Sequence, residues 1–423
     1  MLWFPYTQMN KMKEVPKLNG AKGVEMYLSE GKTLIDGISS WWSAIHGYNN
    51  EEINQAALDQ LNKFSHFMLG GISHDPALNL AKELVRITPK DLNYVFFSDS
   101  GSIGVEIALK IAIQYWKNLG ISSKNKIVYL KDGYHGDTFK AMEVSSDSDF
   151  NNAFSEILNP QIELEIPVGG YYPKSADLQL AIDQMENVFR NQHQEIACFI
   201  LEPIVQCAGG FNIYSPNYLL AARELTQRYG ILLIADEVAT GFGRTGKMFA
   251  CEHAGITPDI MVLGKAMTAG YIGHAATLAT SKVYDAFLGD NYEIALMHGP
   301  TFMGNALACS IALKGIEIFE RENYLDKITE IESFIEEELN DISSPHILNI
   351  RKIGGIVALE FSNKKYLDGF GKFALQNGAW LRPIGNIVYL MPAYIIKREE
   401  IGHLFYVIKL WINKIETPTT ENF

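Results

Sequence analysis

The chain is short of cysteine, with four among 423 residues: Cys198, Cys207, Cys251 and Cys309. None forms a Cys-x-x-Cys pair or falls at a zinc spacing, so a disulfide framework is excluded, no metal is expected, and the thiols read as reduced in a cytoplasmic protein. Long apolar runs are missing as well. None approaches the roughly 20 residues that a membrane helix needs, and the opening MLWFPYTQMNKMKEV lacks the apolar core of a signal peptide, so a soluble, unexported protein with no membrane partner is expected. Positive charge is scarce: Lys+Arg 36 against Asp+Glu 49 leaves a formal net charge of -13, which disfavours nucleic acid and anionic surfaces as partners. The acids are dispersed, densest at Glu336, Glu337 and Glu338, where they read as a solvated helix face. Internal repeats and low-complexity runs do not occur. What remains is an ordinary globular composition, 47% hydrophobic and 20% charged, long enough for more than one compact unit.

The most informative stretch is 231–265, ILLIADEVATGFGRTGKMFACEHAGITPDIMVLGK. The apolar run Ile231 to Ile234 delivers Asp236 as its first charge, as a buried parallel strand does at the carboxyl edge of a sheet. A second run, Ile260 to Leu263, delivers Gly264 and Lys265 in the same way. If both strands share one sheet, a carboxylate and an amine meet at its rim. That pairing suits pyridoxal 5'-phosphate, since an amine forms a Schiff base with its aldehyde and a carboxylate favours the protonated pyridine. One ion pair at about 4 Å and an effective dielectric near 20 is worth roughly 4 kcal/mol, or about three pKa units of support for the pyridinium. From spacing alone, a solvated turn lysine and a helix-capping aspartate fit equally well.

Several other segments place polar groups at element ends. Tyr94 to Phe97 reads as a buried strand, followed by SDSGS and an apolar helix carrying Glu106 and Lys110 as an i,i+4 pair. Strand, Gly-Ser turn and helix start make an anion site at Gly101 and Ser102, the alternative being a plain serine cap. Residues 126–130 form a strand ending in KDGYHGDTF, where Asp137 either faces the site or caps the next helix. Cys198 to Leu201 is a strand ending in Glu202 at the sheet rim. VEMYLSEGKTLIDG reads as a hairpin, 50–62 and 76–84 as helices, and 145–175 as polar surface loops. Pro216 opens a helix that Gly230 closes, and Asn305 begins an apolar helix behind the turn GPTFMG. Strand and helix alternate from 94 to 264, which reads as an α/β doubly wound sheet. A long helix to Leu339, strands within 347–361, a helix at 366–377, a short strand and a last helix from 398 then make an α+β unit, with the last several residues frayed. The expected division is a large domain at 46–314 and a smaller one built from 1–45 and 315–423.

ADEVATGFGRTGKMFACEHAGITPDIMVLGK resembles the signature of the class III aminotransferases, in which D-E-x-x-x-G-F-G-R-T-G precedes P-D-[ILM]-x-x-x-G-K. FPYTQM (4–9), SSWWSAIHGY (39–48), HFMLGG (66–71) and LRPIGNIVYLMPAY (381–394) resemble one branch of that family, which converts 8-amino-7-oxononanoate to 7,8-diaminononanoate in biotin synthesis. The resemblance covers nearly the whole chain. It implies a fold type I transferase with a mostly parallel sheet, pyridoxal 5'-phosphate as cofactor, and ping-pong transamination with S-adenosylmethionine as donor, or lysine as in some relatives.

The resemblance also implies roles for single residues. Lys265 binds the cofactor and moves the proton, Asp236 faces the pyridine nitrogen, Tyr134 lies flat on the ring, and Gly101 and Ser102 hold the phosphate. Pro300 and Thr301 contact the phosphate of a partner subunit, so a homodimer with shared sites is expected, with Gly299 at the substrate. Arg382 holds the substrate carboxylate beside an aromatic lining from Tyr6, Trp41 and Tyr389, while Trp42 reads as core. Glu202 lies near the substrate in relatives, and Arg244 either orients substrate or ties down its own loop. The segment AMTAGYIGHAA departs from the family: Ala269 stands where a glycine is usual, and Tyr271, Ile272 and His274 are particular to this chain.

Overall fold

The computed structural model describes residues 2–12, 15–146 and 151–417. Strands β1 (Leu18–Lys22), β2 (Glu25–Leu28) and β3 (Thr33–Asp36) lead into helices α1 (Glu51–Leu61) and α2 (Asp75–Ile87). The middle of the chain alternates β4 (Leu92–Ser98), α3 (Gly101–Asn118), β5 (Lys126–Leu130), β6 (Ile162–Leu164), α4 (Ser175–Gln192), β7 (Ile196–Leu201) and α5 (Pro216–Arg228), then β8 (Leu232–Asp236), β9 (Ile260–Leu263) and β10 (Ala275–Thr280). The last part carries α6 (Ala306–Arg321), α7 (Tyr324–Leu339), β11 (Ile347–Ile353), β12 (Ile356–Phe361), α8 (Phe370–Gln376), β13 (Ala379–Trp380), β14 (Ile387–Leu390) and α9 (Arg398–Glu416).

Seven strands form the central sheet in the order β4-β10-β9-β8-β7-β5-β6. Pairing is parallel from β9 to β6, and β10 runs antiparallel to both of its neighbours. The strands β7, β8 and β9 are buried along their whole length because both faces are covered. Ile200, Ile234 and Val262 pack on one face in a core with Val105, Ala108 and Ala112 of α3. Phe199, Leu233 and Met261, one residue out of phase, enter the larger core on the other face. Each such buried side chain is worth about 1.5–3 kcal/mol. This packing fixes the height of the strands, and so aligns the residues that emerge at their carboxyl ends.

A second sheet joins the two ends of the chain: β3 pairs antiparallel with β2 and parallel with β13, Ile35 lying opposite Ala379. Caps follow their residue types. Asn50 accepts from the backbone of Glu52 and Ile53 at the start of α1, and Ser215 caps α5 just ahead of Pro216.

Three readings of the sequence change. The supposed loop at 145–175 contains β6, an edge strand of the main sheet whose Glu163 faces solvent and breaks the apolar signal. The single long helix up to Leu339 is two helices, α6 and α7, separated at Asn323, which takes a left-handed φ of 50°. Glu106 and Lys110 do not pair, because Glu106 accepts from the backbone of Lys140 while Lys110 reaches His298. Of the two adjacent tryptophans, Trp41 is exposed and Trp42 is buried. The expectation of frayed last residues, and part of the 145–175 reading, fall on 418–423 and 147–150, outside the described residues.

Candidate active site

Strand register assembles the core of the site. Asp236, the last residue of β8, lies opposite Val262 of β9, so Lys265 emerges at the same sheet edge three residues later. Both line a cavity of about 190 Å³. The Asp236 carboxylate is buried and held on both oxygens: one accepts from the backbone N–H of Val238 at 3.1 Å, the other sits 2.7 Å from His135 Nδ1. The Lys265 ammonium lies 4.8 Å from the centre of the Trp42 ring. Burial pulls its pKa below the ordinary lysine value, while the nearby Asp236 carboxylate pulls it back up. A less basic amine keeps a larger neutral, nucleophilic fraction.

On the opposite wall α3 begins. Its N-cap is Ser100, whose side chain accepts from Ile103 N–H, so the N–H groups of Gly101 and Ser102 are left at the cavity with the positive end of an 18-residue helix behind them. Space is tight there. A Cβ on Gly101 would come within 2.7 Å of Val238, and one on Gly136 would lie 2.2 Å from the Ser102 hydroxyl. Gly136 also has φ 121°, which side chains other than hydrogen rarely adopt. The loop after β5 therefore closes directly onto the start of α3.

That loop carries Tyr134, His135 and Asp137. Tyr134 lines the cavity, and its backbone N–H donates to Glu202. Its hydroxyl donates to Asp137 at 3.0 Å, and Tyr6 donates to the same carboxylate at 2.5 Å. Burial, and then the Tyr6 contact, raise the Tyr134 pKa. Asp137 is thus a group of the site mouth, while Thr138, not Asp137, occupies the N-cap of the short helix that follows. The Tyr6 ring meets Trp41 edge-on at 6.0 Å, and the Arg382 guanidinium stacks over the Trp41 ring at 4.7 Å.

The tryptophans are presented by an unusual backbone. Ser39, Ser40, Trp41 and Trp42 have φ of 41°, 51°, 54° and 75°, a left-handed turn that costs roughly 1–2 kcal/mol per residue. Its opponents are buried hydrogen bonds. Asp36 accepts from the backbone N–H of Ile38 and Ser40, and the Ser39 hydroxyl donates to the carbonyl of Met391. Arg244, fully buried, donates to the Ser39 hydroxyl at 2.7 Å and to the carbonyls of Trp42 and Pro392 at 2.8 and 2.6 Å. Of the two sequence readings of Arg244, the geometry selects the tie, and what it ties is the tryptophan turn as well as its own loop.

Three other expected residues sit differently from one another. Tyr389 is buried behind Trp42 and Phe211, with ring centres 6.2 and 4.6 Å away, and does not line the cavity. Burial pushes its hydroxyl up to about 12. Glu202 does line the cavity, but its oxygens accept from the backbone of Tyr134 and Cys207, and burial pushes it up to about 7. Ala269 has φ 53°, the conformation a glycine takes more cheaply.

Gly299, Pro300 and Thr301 do not line this cavity. They lie on a surface segment in which Thr301 is exposed and its carbonyl is 2.9 Å from His66 Nε2. Three residues at the site had no assigned role from sequence. His135 stood in the quoted Tyr-His-Gly run, Trp42 was read as core, and Val238, which packs across Gly101 and Gly264, carried no signal.

The family model for aminotransferase class-III matches residues 8–412. The chain is 41% identical to an adenosylmethionine-8-amino-7-oxononanoate aminotransferase of Buchnera aphidicola (subsp. Acyrthosiphon pisum), an alignment covering 98% of this chain and 96% of the relative. Among solved structures it is similar to the enzyme of the same name from Methanocaldococcus jannaschii, at 34% identity and a TM-score of 0.90 over 97% of both chains. It is also similar to an omega transaminase from Pseudomonas jessenii in complex with PMP, at 26% identity and a TM-score of 0.91, covering 98% of this chain and 96% of that one.

Proposed function

The chain belongs to the class-III aminotransferases, and from that premise we propose that it transfers an amino group from S-adenosylmethionine to 8-amino-7-oxononanoate, giving 7,8-diaminononanoate for biotin synthesis. The observation that carries this reading is the meeting of the Lys265 amine, the Asp236 carboxylate and the start of α3 around one cavity, beneath a mouth that pairs aromatic rings with Arg382. Pyridoxal 5'-phosphate fits these residues. Gly101 and Ser102 offer unspent N–H groups to a phosphate in a cradle that a Cβ would fill, and the Lys265 amine and Asp236 carboxylate line the same cavity, where they would meet its aldehyde and ring nitrogen. Bound there, the cofactor supplies an electrophilic aldehyde and a ring that accepts electrons from the carbon losing its proton.

The chain's own groups do the rest. Asp236, held by His135 and Val238, keeps a proton on the ring nitrogen. Lys265, released as a free amine when the amino donor takes its place, would carry the proton to and from the reacting carbon. Tyr134 covers the ring. Arg382 holds the distal carboxylate of the oxononanoate in a bidentate grip, and Trp41 and Tyr6 cover its aliphatic chain. Asp137, in the same mouth, gives a cationic donor an anionic neighbour.

A second copy completes each site, Gly299, Pro300 and Thr301 reaching across to its cofactor phosphate and substrate. The exposed apolar residues Phe67, Met68 and Ile72 on one loop, with Met297 and Phe302 beside Thr301, support such an interface. A cytoplasmic location is consistent with four unpaired, buried cysteines.

Half-reactions test the assignment. Donors are added singly to the holoenzyme, and loss of the visible band of lysine-bound cofactor is followed. S-adenosylmethionine should bleach it and 8-amino-7-oxononanoate should restore it. Bleaching by ω-amino acids or diamines with no restoration by the oxononanoate would overturn the reading, and bleaching by lysine alone would reassign the donor.

A further inference from the structure

We propose that His66 is a positioning residue for the segment 299–304, holding the Thr301 backbone so that its hydroxyl is aimed at the cofactor phosphate of a second copy; this rests on the shared-site reading above. The imidazole Nε2 lies 2.9 Å from the carbonyl of Thr301. A carbonyl has no proton to give, so Nε2 carries the hydrogen and donates it. The same ring packs on Phe302, with centres 4.8 Å apart. Two residues further on, Gly304 has φ 60°, and a Cβ there would lie 2.5 Å from Leu69. The 66–69 loop thus grips the segment at a carbonyl, a ring and a close-packed glycine. At its other end, His298 is met by Lys110 of α3 at 3.0 Å.

The segment needs such ties. It precedes α6, whose cap is Asn305, and belongs to no strand. Its own backbone bonds are two local turns, Met303 N–H to Pro300 and Asn305 N–H to Phe302. A threonine carried by so short a turn has no ladder to fix its direction, and the exposed side chain of Thr301 makes no hydrogen bond among the described residues. His66 supplies the direction through the carbonyl next to the side chain it aims.

Mixed dimers made from two differently tagged chains decide the matter, each dimer retaining one Lys265 through a Lys265→Ala change in the other chain. In the first, His66→Phe is placed in the chain that keeps the lysine. In the second, it is placed in the chain that lacks it. Phenylalanine retains a ring against Phe302 and removes only the N–H. The readout is the affinity of the lysine-bearing site for pyridoxal phosphate, measured as the fraction of cofactor that borohydride fixes to protein during titration of the apo form. The second dimer should bind about tenfold more weakly, as loss of one hydrogen bond implies, and the first should match a dimer with both His66 side chains intact. His66→Gln, which presents an amide N–H, should recover part of the loss. Equal affinity in the two dimers, or dimers that fail to assemble with both His66→Phe and His66→Gln, overturns the role of His66. Weakening confined to the first dimer overturns both it and the shared site. Sedimentation of the unaltered protein as a monomer overturns the shared site and, with it, the aim ascribed to His66.

Discussion

His135 Nδ1 stands 2.7 Å from a carboxylate oxygen of Asp236, with both side chains buried. Since the second oxygen is held by the Val238 N–H, the carboxylate cannot rotate without breaking one of the two bonds. The backbone of His135 is itself fixed by the Ser145 hydroxyl. In the proposed chemistry this carboxylate faces a ring nitrogen, and it is oriented from behind by an imidazole donor on the loop that also carries Tyr134, the residue proposed to cover the ring.

Replacing His135 should act on rate more than on cofactor retention. A charge-assisted hydrogen bond contributes about 1.5–3 kcal/mol, so His135→Phe is expected to slow transamination by roughly tenfold to a hundredfold. His135→Asn, whose amide can still donate to Asp236, should recover much of that loss. Turnover of His135→Phe close to that of the unaltered enzyme would mean that Asp236 needs no second support.

Arg382→Ala should separate the two half-reactions. The guanidinium rests over Trp41 at the site mouth, and in the proposed chemistry the oxononanoate alone presents a distal carboxylate to it. KM for the keto acid should rise by one to two orders of magnitude, at about 1.4 kcal/mol for each tenfold step, with kcat little changed. The donor half-reaction should be nearly unaffected. Equal damage to both halves removes the substrate-specific role.

Much of this site was legible because its residues sit where regular elements end. Asp236 and Lys265 terminate apolar runs of strand length, and Gly101 and Ser102 open an apolar helix, so spacing marked them as candidates and the motif resemblance chose between the readings. What spacing did not reveal depends on contacts between distant segments. The His135–Asp236 bond joins residues 101 apart in the chain. Arg244 meets the Ser39 hydroxyl only after both ends of the chain have folded against the large sheet. The left-handed turn at 39–42 has no glycine to announce it, because its strain is opposed by tertiary hydrogen bonds and not by local preference. Strand β6 was missed for the opposite reason, since it is three residues long at a sheet edge and its middle residue, Glu163, faces solvent.

Arg244→Met tests whether the strained turn depends on its tie. The change keeps bulk but removes three donors, leaving the carbonyls of Trp42 and Pro392 buried without that partner. A loss of about 2–5 kcal/mol in stability is expected. The tryptophan environment should also change, seen in near-ultraviolet circular dichroism, and KM for the keto acid should rise because Trp41 carries Arg382. Arg244→Lys, with a single ammonium in place of a fork, should fall between. An unaltered near-ultraviolet spectrum and KM in Arg244→Met would show that the turn is held by Asp36 and Met391 alone.

Acid stability should be governed in part by two histidines remote from the catalytic groups. His46, bonded to the Tyr324 hydroxyl at 3.0 Å, and His274, stacked on Phe97 with ring centres 5.3 Å apart, are both buried. Burial lowers each imidazole from 6.5 to about 4. Between those values the unfolded chain takes up a proton that the folded chain refuses. Stability present above pH 6.5 is therefore lost as the pH falls toward 4, by at most about 3 kcal/mol per histidine. Glu202 and Glu237 act in the other direction. Burial raises both to about 7, so their contribution is present at low pH and is lost as the pH rises through that value. Difference curves separate the two effects: His46→Gln and His274→Gln should each flatten the fall in melting temperature between pH 6.5 and 4 while leaving the change between pH 7 and 8 as it was. A histidine variant whose acid limb stays parallel to that of the unaltered protein would show that its imidazole is protonated in the fold, with a counter-charge that the buried geometry does not provide.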